Sequence, residues 1–276
     1  MKGFVNRFRE LFLSKKSILC IGLDPAVPGQ RKQNVIPQKS LDDANGDRDE
    51  ARLVFCEDII KQTADFAIAA KPNEQYLRGF SGEHHKRLAK CIREHGLLSI
   101  LDCKLGDIAD TAEANLFWMH EWGYDAITVH TQPGNLKQMV DIAHSYSPPI
   151  GIIALTLMSN AEAVKYMKDS KYHERSVYLA IAEDVRSVGA DGCVVGATGH
   201  VTEEDITSIR EACGEDKIFL VPGVGAQRGD PEKVIRAGGK NMLINVGRDI
   251  IYSPDPKSRA EYHNNLFREL MDQINR

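Results

Sequence analysis

Eight short apolar runs, each followed by a segment with helical periodicity, set the tightest limit on how this chain can fold. The runs are ILCIGL at 18–23, FAIAA at 66–70, LLSILDC at 97–103 and DAITVH at 125–130, then IGIIALT at 150–156, DGCVVGA at 191–197, KIFLVPG at 217–223 and NMLINVG at 241–247. Each has strand length and is nearly continuous in Val, Ile, Leu and Ala, the pattern of a strand buried on both faces. The segments between them, such as GEHHKRLAKCIREHG and SVYLAIAEDVRSVG, are amphipathic. Gly96, Gly123, Gly189 and Gly238 stand where helices should stop. Strict strand–helix alternation implies parallel strands joined by crossover helices. An open doubly wound sheet shares that alternation, but eight units favour closure, and no GxGxxG follows the first strand. The expected architecture is α/β, a (β/α)8 TIM barrel forming one domain over 1–276. An amphipathic N-terminal helix precedes it, and a long polar loop, Pro25–Glu50, follows strand 1. That loop is expected to be mobile and close to the active face.

Composition removes several classes of function. A net charge of −4 makes nucleic-acid binding an improbable main task. The six cysteines form no CxxC pair, so neither a zinc ribbon nor a thioredoxin-type site is suggested. Cys20, Cys56, Cys103 and Cys193 sit in apolar surroundings and read as small core hydrophobes. No run reaches the length of about 18 apolar residues that a membrane span needs, and the N-terminus lacks the features of a secretory signal. Reduced thiols without an export signal point to the cytoplasm. His84, His85 and His95 read as exposed helix residues, His130 as a satisfied core histidine, and Trp118 and Trp122 as packing. No metal-ligand spacing and no cofactor motif is present.

In a barrel of this kind, chemistry gathers at the carboxyl ends of the strands. In chain order those ends carry Asp24, Lys71, Asp102 with Lys104, His130, Ser159, Thr198, the Gly-rich VPGVGAQRGDP segment with Gln227, and Gly247 with Arg248. Charges appended to buried strands are costly unless paired. Strand alternation should turn Asp102 and Lys104 to the same side, with Cys103 opposite, so the pair can meet in the barrel mouth. Asp107 falls at the start of the next helix. Alone, this triplet reads at least as readily as a structural ion pair plus a helix N-terminal carboxylate as it does as a catalytic group. Lys71 and Asp24 at two further strand ends move the reading toward chemistry. The glycine-rich turns after strands 7 and 8, with Arg248, fit a phosphate site.

IGLDP, AAKPN, LDCKLGDIADT, TVH, LTLMS, VVGAT, PGVGAQRGD and NVGR occur in one order along the whole chain. In this the sequence resembles the orotidine 5′-phosphate decarboxylase family, and the long loop after strand 1 resembles its longer bacterial branch. The DxKxxDI element is the most specific part of the likeness. The resemblance implies cofactor-independent, metal-free conversion of orotidine 5′-phosphate (OMP) to UMP and CO2, the last step of de novo pyrimidine synthesis. It also implies a homodimer with shared active sites. Lys104 and Asp102 would act in one subunit, while Asp107, Ile108 and Thr111 reach the neighbour's site. Asp24 and Lys71 would bind ribose hydroxyls, Ser159 the pyrimidine edge, Gln227 base and phosphate from a mobile lid, and Gly247 and Arg248 the phosphate. Flanking carboxylates favour the ammonium form of a lysine, which suits Lys104 as stabiliser of a C6 carbanion and as proton donor.

Three other readings share parts of this pattern. A Mg2+-dependent sugar-phosphate barrel would need a further acidic ligand, where the second strand ends instead in Lys71-Pro72-Asn73. A Schiff-base aldolase wants a lysine with a lowered pKa. A non-catalytic barrel would bind a phosphorylated ligand without turning it over.

Overall fold

The structure, a computed structural model, describes residues 2–225 and 229–274. Its barrel strands are β1 (Leu19–Leu23), β2 (Ala69–Pro72), β3 (Leu98–Leu105), β4 (Ala126–Val129), β5 (Gly151–Leu157), β8 (Gly192–Val195), β9 (Ile218–Pro222) and β10 (Met242–Val246), while β6 (Lys171–Tyr172) and β7 (Arg175–Ser176) form a separate antiparallel hairpin. The eight strands close in the order β1–β10–β9–β8–β5–β4–β3–β2, all neighbours parallel. The fold is therefore the (β/α)8 barrel expected from the periodicity. Each apolar run supplies one strand, with one displacement. β2 starts only at Ala69, because Phe66 lies in the turn after the preceding helix, its carbonyl accepting from Ser17 Oγ at 2.8 Å.

The helices are α1 (Phe4–Lys15), α2 (Gln38–Asp43), α3 (Arg48–Thr63), α4 (Gly82–Glu94), α5 (Ala109–Trp122), α6 (Leu136–Ser145), α7 (Val177–Val188), α8 (Glu203–Cys213), α9 (Pro231–Gly238), α10 (Arg248–Ile251) and α11 (Pro256–Ile274). Their starts follow from local chemistry. Asp47 and Asp230 cap α3 and α9 by accepting from backbone N–H groups, and Ser81–His84 and Thr202–Asp205 form reciprocal capping pairs on α4 and α8. Gly123 and Gly189 end α5 and α7 in the left-handed conformation. Gly238 is instead the last helical residue of α9, and Gly239 takes the positive φ.

Two apolar clusters hold the barrel. The larger lies between the strands and the surrounding helices. The smaller fills the barrel interior, where Phe4 and Phe8 of α1 pack on Cys20, Ile68, Leu98, Ile100, Ile153 and Leu243. The N-terminal helix is thus a plug, leaving the opposite end of the barrel for chemistry. Gly151 makes room for it: a Cβ there would lie 2.7 Å from Phe4 Cγ.

The 25–50 segment differs from the loop expected. It contains α2, buries Ile36 and ties Ile36 N to Ala26 O at 2.8 Å. His85 is also not an exposed helix residue. It is buried, stacked on Trp122 with ring centroids 4.1 Å apart, and its Nδ1 lies 3.0 Å from the Tyr124 hydroxyl. Sequence periodicity on α4 missed this because the partners belong to α5 and the turn beyond it. His130 is half-exposed beside Gln132 rather than core, and Trp118 is exposed. All six cysteines carry free thiols. No helix among the described residues is long and apolar enough to cross a membrane.

Candidate active site

The barrel mouth is built around an interruption in β3. Leu101 pairs with Ile127 and Leu105 with Val129, so Asp102, Cys103 and Lys104 face the single residue Thr128. Lys104 takes a positive φ of 51° to accommodate the extra residues, a conformation that costs a non-glycine residue roughly 1–3 kcal/mol and gathers at functional sites. Regular alternation anticipated that Asp102 and Lys104 would meet. They do, but through this irregular backbone and not through a straight strand.

The result is a continuous array of charges. Lys71 Nζ lies 2.6 Å from Asp102 Oδ2, and Lys104 Nζ lies 2.7 Å from Asp102 Oδ1. Thr128 Oγ1 donates to Asp102 Oδ1 at 3.0 Å and accepts from the Lys104 backbone N–H at 3.0 Å. Asp102 therefore has both oxygens engaged. Burial works against its ionisation, but the two ammonium groups outweigh burial and hold the carboxyl well below the usual range. Burial likewise works to lower the Lys71 pKa. The charges of Asp102 and Asp24 overcome it, so Lys71 is raised above the ordinary lysine value. Lys71 is the buried end of the array, whereas the Lys104 side chain is 41% exposed.

These groups line a cavity of about 230 Å3, with Ser159 and Asn160 on its rim and Leu155, Leu157, Val194 and Leu220 among its apolar walls. Ser159 gets there because Gly196 has no side chain: a Cβ on Gly196 would lie 2.8 Å from Ser159 Cβ. The cavity thus joins apolar walls to a row of fixed charges. Such a site can bind a planar ring and stabilise charge at one edge of it.

Of the residues anticipated from sequence, Lys71, Asp102, Lys104 and Ser159 come together in this cavity. Asp24 follows β1, close enough to act on Lys71 electrostatically, and pairs with Arg31 at 3.7 Å. Asp107, Ile108 and Thr111 are exposed and lie outside this cavity's lining. The Asp107 carboxylate has no ion-pair partner among the described residues and accepts only from the Ile108 N–H. Gly247 caps α10, with Arg248 its first residue. Asp249 is taken by Arg259 at 2.8 Å and His263 at 2.6 Å, so it does not neutralise Arg248. The loops after β9 and β10 are neighbours, since a Cβ on Gly225 would lie 2.9 Å from Val246 Cγ1. Gln227 lies outside the described residues. Thr128 was missed by sequence reasoning. Its signal was position: it stands two residues before the strand-end His130, on a strand beside β3.

Comparison with known proteins gives a consistent result. The model of the Orotidine 5′-phosphate decarboxylase / HUMPS family matches residues 17–262. Orotidine 5′-phosphate decarboxylase of Ralstonia pickettii is 35% identical over 99% of this chain and 98% of its own length. The enzyme of that name from a Roseiflexus species is 34% identical over 94% and 93%. Among solved structures, Leishmania donovani OMP decarboxylase matches with a TM-score of 0.77 at 27% identity, covering 98% of this chain and 100% of that one.

Proposed function

The chain belongs to the orotidine 5′-phosphate decarboxylase / HUMPS family, and on that premise we propose that it converts OMP to UMP and CO2 as a carboxy-lyase of pyrimidine synthesis. The observation that carries this reading is the Lys71–Asp102–Lys104 array at the edge of the cavity.

Loss of CO2 from C6 of the orotate ring breaks the C6–carboxylate bond and leaves its electron pair on C6. No ring carbonyl is conjugated to receive that pair, so stabilisation must come from fixed charges aimed at C6. Lys104 is the exposed cation of the array and is assigned that role. Its ammonium faces the developing charge and then gives its proton to C6, leaving UMP and a neutral amine. Asp102 holds Lys104 in place, and Lys71 holds Asp102. Preorganised in this way, the groups need little rearrangement as the charge forms. Asp24 and Lys71 are assigned to the ribose hydroxyls and Ser159 to the pyrimidine edge. Gly247 and Arg248 are assigned to the phosphate, where a guanidinium without an ion-pair partner among the described residues supports the assignment. Binding energy from the phosphate, remote from C6, would then position the ring.

In this reading residues 1–276 work as one domain, and two copies form a homodimer in which Asp107, Ile108 and Thr111 complete the partner's site. Free thiols at all six cysteines support a cytoplasmic setting. The test is loss of OMP absorbance with formation of UMP, run with and without chelator. Turnover should survive EDTA. Lys104→Ala should lower it by about ten-thousand-fold, the upper range for losing a general acid, while UMP still binds. Near-normal decarboxylation by Lys104→Ala, or activity that needs added Mg2+, would overturn the assignment.

A further inference from the structure

We propose that Arg31, carried by the folded segment after β1, is a positioning residue that holds Asp24 for the substrate. The proposal rests on the reading of Asp24 as a substrate-binding residue. Arg31 Nη2 lies 3.7 Å from Asp24 Oδ2, and each side chain is 21% exposed. The guanidinium stacks on the Tyr76 ring, 4.3 Å from its centroid, and Nη2 donates to the Tyr76 hydroxyl. A surface arginine would keep its fork in water. This one is folded inward, and its Nη1 is buried without a hydrogen-bond partner among the described residues. Leaving such a donor unsatisfied is unfavourable, so the inward placement calls for a compensating role.

That role follows from charge order. Asp24 acts on Lys71, Lys71 is paired with Asp102, and Asp102 with Lys104. Arg31 therefore adds a cation to the outer end of an alternating array: Arg31, Asp24, Lys71, Asp102, Lys104. Without it, the cation left acting with Asp24 among the described residues is Lys71, which Asp102 already binds. The carboxylate would then be free to swing toward Lys71, away from where it meets the sugar. The base of the segment is fixed independently. The Tyr252 hydroxyl accepts from Ala26 N at 2.9 Å and donates to Asp24 O at 2.8 Å, so the Asp24 backbone is held whatever happens to Arg31. Only the direction of the carboxylate is left for Arg31 to set.

A double-mutant cycle with OMP tests this. Arg31→Met should raise KM roughly tenfold, the scale of one well-placed ionic contact, with kcat within about twofold. Arg31→Lys should restore part of the loss, because it keeps the charge but not the planar fork. In an Asp24→Asn background the same Arg31→Met change should raise KM less than about twofold, since nothing remains to position. An equal penalty in both backgrounds, or none in either, would overturn the proposal. If Asp24→Asn alone leaves KM unchanged, the substrate role of Asp24 fails first and takes this inference with it, a result distinct from failure of Arg31 alone. Circular dichroism melting of each variant separates misfolding from the KM effect; should Arg31→Met not fold, Arg31→Gln takes its place in the cycle.

Discussion

At the scale of single residues, the ionisable groups of this chain divide by their partners. Asp102 is largely buried but saturated by two ammonium groups and a hydroxyl, so burial does not neutralise it. His85 is buried with no ion-pair partner among the described residues, and burial pushes its pKa down to about 4. The consequence for stability has a definite sign. Above pH 6.5 the imidazole is neutral in both the folded and unfolded chain. Between pH 6.5 and about 4 the unfolded chain takes up the proton and the folded one does not. Stability tied to His85 is therefore complete at neutral pH and falls as the solution is acidified through that window, by up to about 3 kcal/mol. Denaturant titrations at pH 7 and pH 4.5 should show the decline in the native chain. His85→Phe, which keeps an aromatic ring against Trp122, should flatten it, and an unchanged slope in that variant would assign the acid sensitivity elsewhere.

At the scale of elements, the sequence spoke clearly where burial is two-sided and faintly where partners are remote. All eight barrel strands were legible, because a strand covered on both faces must be apolar throughout. The helix stops were legible too, apart from the one-residue shift at Gly238. The β3 irregularity was not, since nothing in LDCKL declares that Lys104 adopts a positive φ; only pairing with β4 imposes it. The site was legible as residue types at strand ends, but Thr128 and Arg31 emerged only from three-dimensional neighbours. The same holds for α1. Its amphipathic pattern announced a helix, but not that Phe4 and Phe8 plug the barrel. The plug makes a specific demand of β5. Gly151→Ala would press a methyl to within 2.7–2.8 Å of Phe4 Cβ, Cγ and Cδ1, atoms near the root of a side chain that is 2% exposed. Overpacking of this kind costs typically about 1–3 kcal/mol. Thermal unfolding should report that loss, while KM for OMP should change little, because Gly151 lies at the opposite end of the barrel from the charge array. A variant as stable as the native chain would mean that α1 shifts without penalty.

At the scale of the whole molecule, the unpaired groups point outward. Asp107 and Ile108 immediately precede α5 and are exposed, Ile108 to 57%; on α5 itself Thr111 is exposed, and Phe117 and Trp118 are 46% and 54% exposed. Large apolar side chains concentrated on one exposed element are characteristic of a contact surface. A carboxylate beside them without an ion-pair partner among the described residues is suited to meet a cation on another copy. If the proposed homodimer shares its sites, each site takes Lys104 from one chain and Asp107 from the other. Lys104→Ala and Asp107→Ala dimers are then both inactive when pure. In a mixed dimer, the barrel that keeps Lys104 receives Asp107 from its partner and is intact, while the other site lacks both groups. Random exchange of equal amounts makes about half the dimers mixed, each with one intact site of two, so about a quarter of native activity should return. Exchange must be verified by a mass tag on one variant. Activity that stays at the level of the separate variants after verified exchange would mean that each barrel works alone, and that Asp107 serves only as the exposed start of its own helix.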